Sequence, residues 1–544
     1  MTPSDGVSTD TKTVTITVLD PNSASQFSGT KTVCLSNNTD FAGCPTGAKQ
    51  VASSTDLSRL PAEVAAGGRR ILFHRGHTWT VAGTQTVYVT TANDPGLIGS
   101  FGTGSAPVWQ AAAAFPTSSQ QVMVQLSSVY GKLMADWRVM DITVDGSLVP
   151  APKNLWGISL YGGLDQFTLL RVTANAVTIP FAASWSLLNA WNSSTNTLVR
   201  GHHIWDQLAV VDLRQTNAPH GTSTNTGTYP YGLYIAGERM AIMGGDFDNL
   251  GDNVTGVSHN IRIPYAAKFV VAHNNIANPG PTEHNLKIHG PIWTANPLFP
   301  GDPTQYVEPT GVTGSGSIVD GVAESLGKGY TRWGYVADNK IVGGYTPWLI
   351  AVGPESDNTQ ARVKDIVFDS NWAKFGVAGQ RVLNAWGTYI TIRNNLFDLS
   401  AGKTGTNIGV WTGRRNARYT AELYADRVAS YNNTIYSGSA VSGFQAMYVE
   451  PLSTNVSAKN LLAYAPLASS PVTLSGQAPD SVGGNTTAPT TNPLFTGALS
   501  AVTGWQLQVG SPYLGTGVSA PVWSDFFKST WLAGTAVTKG ASQK

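Results

Sequence analysis

Two short phrases near the middle of the chain carry its densest chemistry. His259-Asn260-Ile261-Arg262-Ile263 returns 25 positions later as His284-Asn285-Leu286-Lys287-Ile288, with His289 directly behind it. Histidine is repeated on histidine, and arginine on lysine. In a strand-rich sequence an offset of this length is one turn of a solenoid. The two phrases then stack as neighbouring rungs, roughly 4.8 Å apart. Four basic side chains on one patch repel one another, so the patch calls for an anion. Counting back one further turn brings Tyr234 beside Arg262 and Tyr231 beside His259. The expected groove has one column of Tyr234, Arg262 and Lys287 and a second column of His259 and His284. Side chains three apart on a strand point to opposite faces. A bend between histidine and cation is therefore needed, and the Gly/Pro-rich lead-in to each phrase is expected to supply it.

This residue set suits β-elimination from a uronic-acid polymer. Such cleavage needs a cation or metal to neutralise the uronate carboxylate and the enolate-like charge. It also needs a base for the C5 proton and an acid for the leaving oxygen. Arg262 and Lys287 suit charge neutralisation and proton abstraction, with His259, His284, His289 and Tyr234 close enough for the remaining proton transfer. Asp246, Asp248 and Asp252, in GDFDNLGDN, are the best candidates for a Ca2+ site, although turns favour aspartate in the same pattern. Arg332, Trp333, Arg381, Trp293, Trp348 and Trp386 are candidate substrate-binding residues, because guanidinium groups pair with carboxylates and aromatic faces suit sugar rings. Trp411 is an aromatic of the same kind, and each of these rings could equally fill a core; Arg414 and Arg415 are expected to be solvated. A hydrolase instead needs two carboxylates at a suitable separation. Asp246, Asp248, Asp252 and Glu283 are the available set, and a doubled Asp followed by Gly-His-Gly is absent.

The elements that must position these residues appear as a recurring phrase, an alternating apolar run that ends in Asn or Asn-Asn before another apolar residue. It occurs as VVAHNNIANP (270–279), YVADNKIVGG (335–344), IVFDSNWAKFG (366–376), ITIRNNLFDLS (390–400) and ASYNNTIYSG (429–438). Weaker forms are MAIMGGDFDNL (240–250) and VSAKNLLAYA (456–465). Spacings of two dozen residues or more fit coils of short strands with insertions in the turns. The asparagines are expected to stack into a ladder at a tight turn, where αL geometry suits them. The longest excess falls between Asn275 and Asn339 and includes GPIWTANPLFPGDPTQYVEPTGVTGSGS. It leaves directly from the His284/Lys287/His289 turn, which predicts a wall or lid over the basic patch. Asp56 to Ala66 is predicted as a short helix with Ser53, Ser54 or Thr55 near its start. Residues 1–30, with an alternating stretch at 12–20, read as a linker or the remnant of a preceding immunoglobulin-like module. Residues 31–486 read as the main domain and 487–544 as its closing segment.

Composition narrows the partners. Only 12% of the 544 residues are charged, Gly numbers 58, and Asn, Thr and Ser are abundant, which is the balance of an all-β chain with many turns. A formal net charge of +1 offers no general field for nucleic acid or an anionic membrane surface. No secretory leader and no stretch suited to membrane insertion are visible. Cys34 and Cys44 are either two free thiols or a disulfide closing a small loop, and the disulfide would suit an exported protein. Low charge and abundant Ser, Thr and Asn lean towards a secreted or extracellular location, and a monomer is expected.

The Asn-ended repeats, the helix-then-strand opening and the closing phrase NPLFTGALSAVTGWQLQVGSPYLGTGV resemble the right-handed parallel β-helix (pectate-lyase-like) superfamily over most of residues 31–544. The resemblance implies an all-β fold with an N-terminal helical cap and long loop insertions. Architecture and residue type together are similar to those of secreted polysaccharide lyases acting on pectate, alginate or chondroitin, many of which use a Lys/Arg pair, often with calcium. That implies a carbon–oxygen lyase with an acidic polysaccharide as substrate. The alternatives are a glycoside hydrolase on the same scaffold, or a non-catalytic glycan-binding β-helix of tailspike or adhesin type.

Overall fold

The computed structural model describes residues 27–89, 95–116, 121–128, 134–150, 155–161, 164–183, 191–192, 197–198, 206–219, 232–247, 259–278, 284–290, 330–344, 346–354, 362–413, 425–522, 524–529 and 537–542. Residues 1–26, Tyr231, Asp248, Asp252, Glu283, Trp293, Arg414, Arg415 and the long insertion from 291 to 329 lie outside them.

Among the described residues, strands of two to eight residues stack into three long parallel sheets, one of fifteen strands and two of twelve. Successive strands go to successive sheets. Ala266–Ala272 lies in the first sheet, Asn275–Ala277 in the second and Leu286–Ile288 in the third, before Tyr330–Ala337 returns to the first. Parallel strands joined by such crossovers wind with a right hand. The described residues thus form a right-handed parallel β-helix of twelve three-stranded coils.

Alternation within each short strand builds the core. One inward position of the second sheet runs through Trp79, Trp109, Val144, Ala174, Gln215, Phe247, Ile276, Ile341, Ala373, Phe397, Ile435 and Ala463, each in register with the next. All are buried, and Gln215 is the polar exception, its Nε2 donating to the Val177 carbonyl at 3.3 Å. The third sheet does the same with Ile261, Leu286, Ile350 and Leu383, so the residues between them face outward.

The corner between the first and second sheets is where the asparagines act. Asn274, Asn339, Asn371, Asn395 and Asn433 form a buried ladder in which each Nδ2 donates to the next Oδ1 at 2.9–3.0 Å. The same Nδ2 atoms reach back to carbonyls of Ile242, Val271, Val336, Phe368 and Ile392. The αL geometry, however, belongs to the residue before the ladder position: His273, Asp338, Ser370, Asn394 and Asn432 have φ of 51–58°. The expectation that the ladder asparagine itself adopts αL is corrected on this point. Its side chain must point inward to reach its neighbours, so the sharp turn is made one residue earlier.

The first sheet carries its own αL column. Asp136, Gln166, Gln207, Arg239, Lys268, Trp333, Asp365, Tyr389 and Arg427 have φ of 48–62° within their strands. Each kink turns two successive residues outward, which sets Arg332 and Trp333 on the outer face of the first sheet.

Both ends are covered. The predicted helix forms over Arg59–Ala65, shorter than expected because Asp56 is engaged elsewhere: it bridges Thr80, and its carboxylate accepts the Ser58 backbone N–H at 2.6 Å. Leu57, Leu60 and Val64 plug the open end of the core beside Val33, Ile71 and Val87. Cys34 and Cys44 form a disulfide beside this end, with an S–S distance of 2.08 Å. At the other end, Thr486 caps the last coil through the carbonyl of Leu461. The chain beyond then runs back along the outer face of the second sheet. Trp505 and Ala541 pack there on Leu396, and Leu507 and Tyr513 on Leu462.

Candidate active site

The doubled phrase folds as the repeat requires. Tyr234 pairs with Arg262, and Arg262 with Lys287, on adjacent strands of the third sheet. Flanking Ile261, Ile263, Leu286 and Ile288 point into the core, so the three outward side chains form one column. Arg262 lies over the Tyr234 ring at 5.3 Å and donates from Nε to His289 Nε2 at 3.1 Å. His289 Nδ1 lies 2.7 Å from the Gly290 carbonyl, which can only accept, so the proton sits on Nδ1 and Nε2 is the acceptor for Arg262.

The second column depends on the bend. Asn260 and Asn285 turn inward, their Nδ2 atoms donating to the Ala277 carbonyl at 2.6 Å and to those of Ile276 and Val342 at 3.0 and 2.9 Å. The backbone bends at both asparagines, and the histidines before them come to the same side as the cations. The Gly/Pro-rich lead-ins expected to supply the bend lie outside the described residues. The His259 and His284 rings are 5.5 Å apart, and the His284 backbone N–H donates to His259 Nδ1 at 3.2 Å. His284 Nδ1 donates to the Trp348 carbonyl at 3.1 Å, leaving Nε2 as its basic nitrogen. Burial holds His259 well below its ordinary pKa of 6.5, and the charges of Lys287, Arg262, His284 and His289 push the same way. His259, His284, Lys287 and His289 are buried, while Tyr234 and Arg262 are half-buried.

The column continues through Ala351, Asn384, Trp411 and Tyr448. Beside it, Trp348 stacks on His284 at 5.8 Å, and Arg381 pairs with Trp348 in register. Burial pushes Arg381 down to about 9, against the opposing potentials of Glu450 and Tyr448. Glu450 accepts from Trp411 Nε1 at 3.1 Å. Asn384, Tyr448 and Glu450 escape prediction as site residues, whereas Trp411 is among the aromatics weighed from sequence. None belongs to a repeated phrase, and only the strand register reveals that they share the cations' column or its edge.

The remaining predicted residues separate. Trp386 is buried, with its indole N–H on the Pro354 carbonyl at 2.9 Å, and acts as a packing residue. Arg332 and Trp333 lie on the outer face of the first sheet, where Arg332 covers the Trp333 ring at 3.6 Å. Asp246 faces outward from the second sheet, accepting from Asn275 Nδ2 at 2.7 Å, and so stands away from the cation column. Asp248 and Asp252, its partners in the proposed Ca2+ set, and Trp293 lie outside the described residues. Among the described residues no group of three or more His, Cys, Asp or Glu is arranged to hold a metal ion.

No family model matches the chain, and no curated relative is similar to it. Solved structures sharing the coil architecture include the tailspike protein of E. coli bacteriophage HK620, at 12% identity and a TM-score of 0.47 over 81% of this chain and 72% of that chain. The A-module of the mannuronan C-5 epimerase AlgE4 of Azotobacter vinelandii is 13% identical, with a TM-score of 0.40 over 81% of this chain and all of that one. A pectate lyase is 11% identical, with a TM-score of 0.37 over 95% and 97% of the two chains. The three parallel sheets themselves make the class that of the parallel β-helices. Within it, lyases, hydrolases and tailspikes all occur among the similar structures, so chemistry has to be argued from this chain's own residues.

Proposed function

We propose that the protein is a polysaccharide lyase that cleaves a uronate-containing glycan by β-elimination on the outer face of the third sheet, outside the cell. The observation that carries this reading is the register that sets Tyr234, Arg262 and Lys287 in one outward column, with the His259 and His284 rings 5.5 Å apart beside it. Arg262, held by Tyr234 and His289, neutralises the uronate carboxylate and the enolate-like charge that develops from it. His284 Nε2 takes the C5 proton as the C4–O bond breaks, and the Lys287 ammonium gives a proton to the leaving oxygen. His259 and His289 are positioning residues for His284 and Arg262. Of the carboxylates a hydrolase would use, Asp246 lies on a different sheet from the cations, and Asp248, Asp252 and Glu283 lie outside the described residues.

Panels of uronate-containing glycans, followed by the ultraviolet absorbance of the unsaturated product, test this. Lys287→Ala and His284→Ala are each expected to lower turnover by about 100-fold or more. Saturated ends only, or full activity in both variants, would overturn the proposal.

A further inference from the structure

Two rungs beyond Lys287 the third sheet holds a set of polar atoms that the fold itself does not use. Both amide atoms of Asn384, Nδ2 and Oδ1, are buried and have no hydrogen-bond partner, and the same is true of Arg381 Nη1 and Trp348 Nε1. Asn384 is 0% exposed. Native proteins pair nearly all such atoms, and orphans mark places where something else completes the bonding. Here the orphans are clustered. Arg381 lies in register with Trp348, and its guanidinium sits over the rings of Trp348 at 4.6 Å and Trp411 at 3.0 Å. The two indoles fix its plane. Trp348, Arg381, Asn384 and Trp411 are thus neighbours by register and ring contact, and together they hold three unpaired donors, one of them on a cation, and one unpaired acceptor, with half-buried Trp348, Arg381, Trp411 and Tyr448 at the margin. This is the complement of a carboxylate with a neighbouring hydroxyl.

The register supplies the spacing. Lys287 pairs with Ala351, and Ala351 with Asn384. Lys287 and Asn384 are two rungs apart, roughly 10 Å along the sheet. The rung between them carries a methyl group and no charge. A pyranose in a chain spans about as much as one rung, so two rungs correspond to a sugar and its second neighbour.

We propose that Arg381, Asn384 and Trp348 form a second anion-recognising subsite, which holds the carboxylate of a uronate two sugars from the one bound by Arg262 and Lys287. The sugar over Ala351 is uncharged or has its charge turned outward, so the preferred ligand is a glycan with uronates at every second position. This rests on the assignment of Arg262 and Lys287 to a uronate made above. Burial pushes the Arg381 pKa down, and the Glu450 carboxylate opposes that shift.

The test is calorimetric binding of defined tetrasaccharides, with product absorbance recorded separately. Wild-type protein is expected to bind a tetrasaccharide with uronates at the first and third sugars at least tenfold more tightly than one with uronates at the first and second. Equal affinities would overturn the proposal. Arg381→Gln is expected to weaken binding of the first tetrasaccharide tenfold or more and to leave binding of its carboxyl-reduced counterpart unchanged. Equal losses on both ligands would make Arg381 a structural residue and overturn the subsite. The wild-type comparison stands even if that variant fails to fold. The spacing preference without unsaturated product would retain the subsite and remove the lyase assignment; unsaturated product without the preference would do the reverse.

Discussion

At the scale of single residues the most constrained group is His259. It is buried, receives the His284 backbone N–H on Nδ1, and stands among cationic neighbours. Its folded-state pKa is depressed, so the folded protein keeps it neutral at a pH where the unfolded chain protonates it. The unfolded state then binds more protons, and stability falls as pH drops below the ordinary value of 6.5. The contribution is fully present above 6.5 and is lost towards the depressed folded value, at a slope approaching about 1.4 kcal/mol per pH unit. Urea unfolding of wild type at a series of pH values from 7.5 to 5 is expected to show this loss. His259→Asn, which retains an acceptor where Nδ1 stands, is expected to flatten part of the slope; an unchanged slope would place the titrating group elsewhere. The column of Tyr234, Arg262 and Lys287 was legible in the sequence because equal offsets along a solenoid become neighbours in space. Arg381 was legible as a basic residue, but its sandwich between Trp348 and Trp411 was not, since the coils that bring those residues together differ in length. The bend at Asn260 and Asn285 also escaped: an inward amide on a carbonyl of another sheet leaves no local pattern.

At the scale of elements the asparagine ladder fixes how one coil sits on the next. Each member both accepts and donates across the corner, so the bonds are made in series. Asn371 accepts from Asn339 through its backbone N–H and its Nδ2, and donates to Asn395 Oδ1 and the Val336 carbonyl. Asn371→Ala removes all four bonds and leaves buried polar groups on two neighbouring coils. The expected cost is roughly 2–4 kcal/mol, less than the sum of separate losses because the corner relaxes. A chemical denaturation curve for this variant beside wild type checks it, and a change below 0.5 kcal/mol would mean that the ladder follows the coil without fixing it. The ladder positions were readable from the repeated Asn. The αL residue before each was not, because His273, Asp338 and Ser370 share no residue type. The kinked column of the first sheet was invisible for the same reason. It moved Arg332 and Trp333 away from the predicted groove, because a strand that turns two successive residues outward breaks the period-two count on which their assignment relied.

At the scale of the whole molecule the three faces of the solenoid have different fates. The third sheet presents the cation column and its continuation through Asn384 and Trp411. The first presents the kinked column, with Trp333 and Tyr389 exposed. The second is covered over its later coils by the chain after Asn492, which seats Trp505 against Leu396 and Tyr436, and Phe495 against Tyr464. A solenoid distributes stability over neighbouring repeats, so a face is protected locally or not at all. Truncation after Thr491 would leave Trp372, Leu396, Tyr436, Leu462 and Tyr464 as one contiguous apolar surface. The cation column lies on another sheet and does not depend on the removed residues, whereas the buried Asn432 and Asn460 of the last coils lose their bonds to Thr538 and Val518. The truncated protein is expected to keep its strand content by circular dichroism, to bind a hydrophobic dye strongly, to self-associate, and to unfold several degrees below the full chain. Turnover per folded monomer on a uronate glycan is expected to stay within about threefold of the full chain. Collapse of strand content on truncation would show instead that the closing segment is needed to form the coils, and would make the second sheet's cover part of the folding unit.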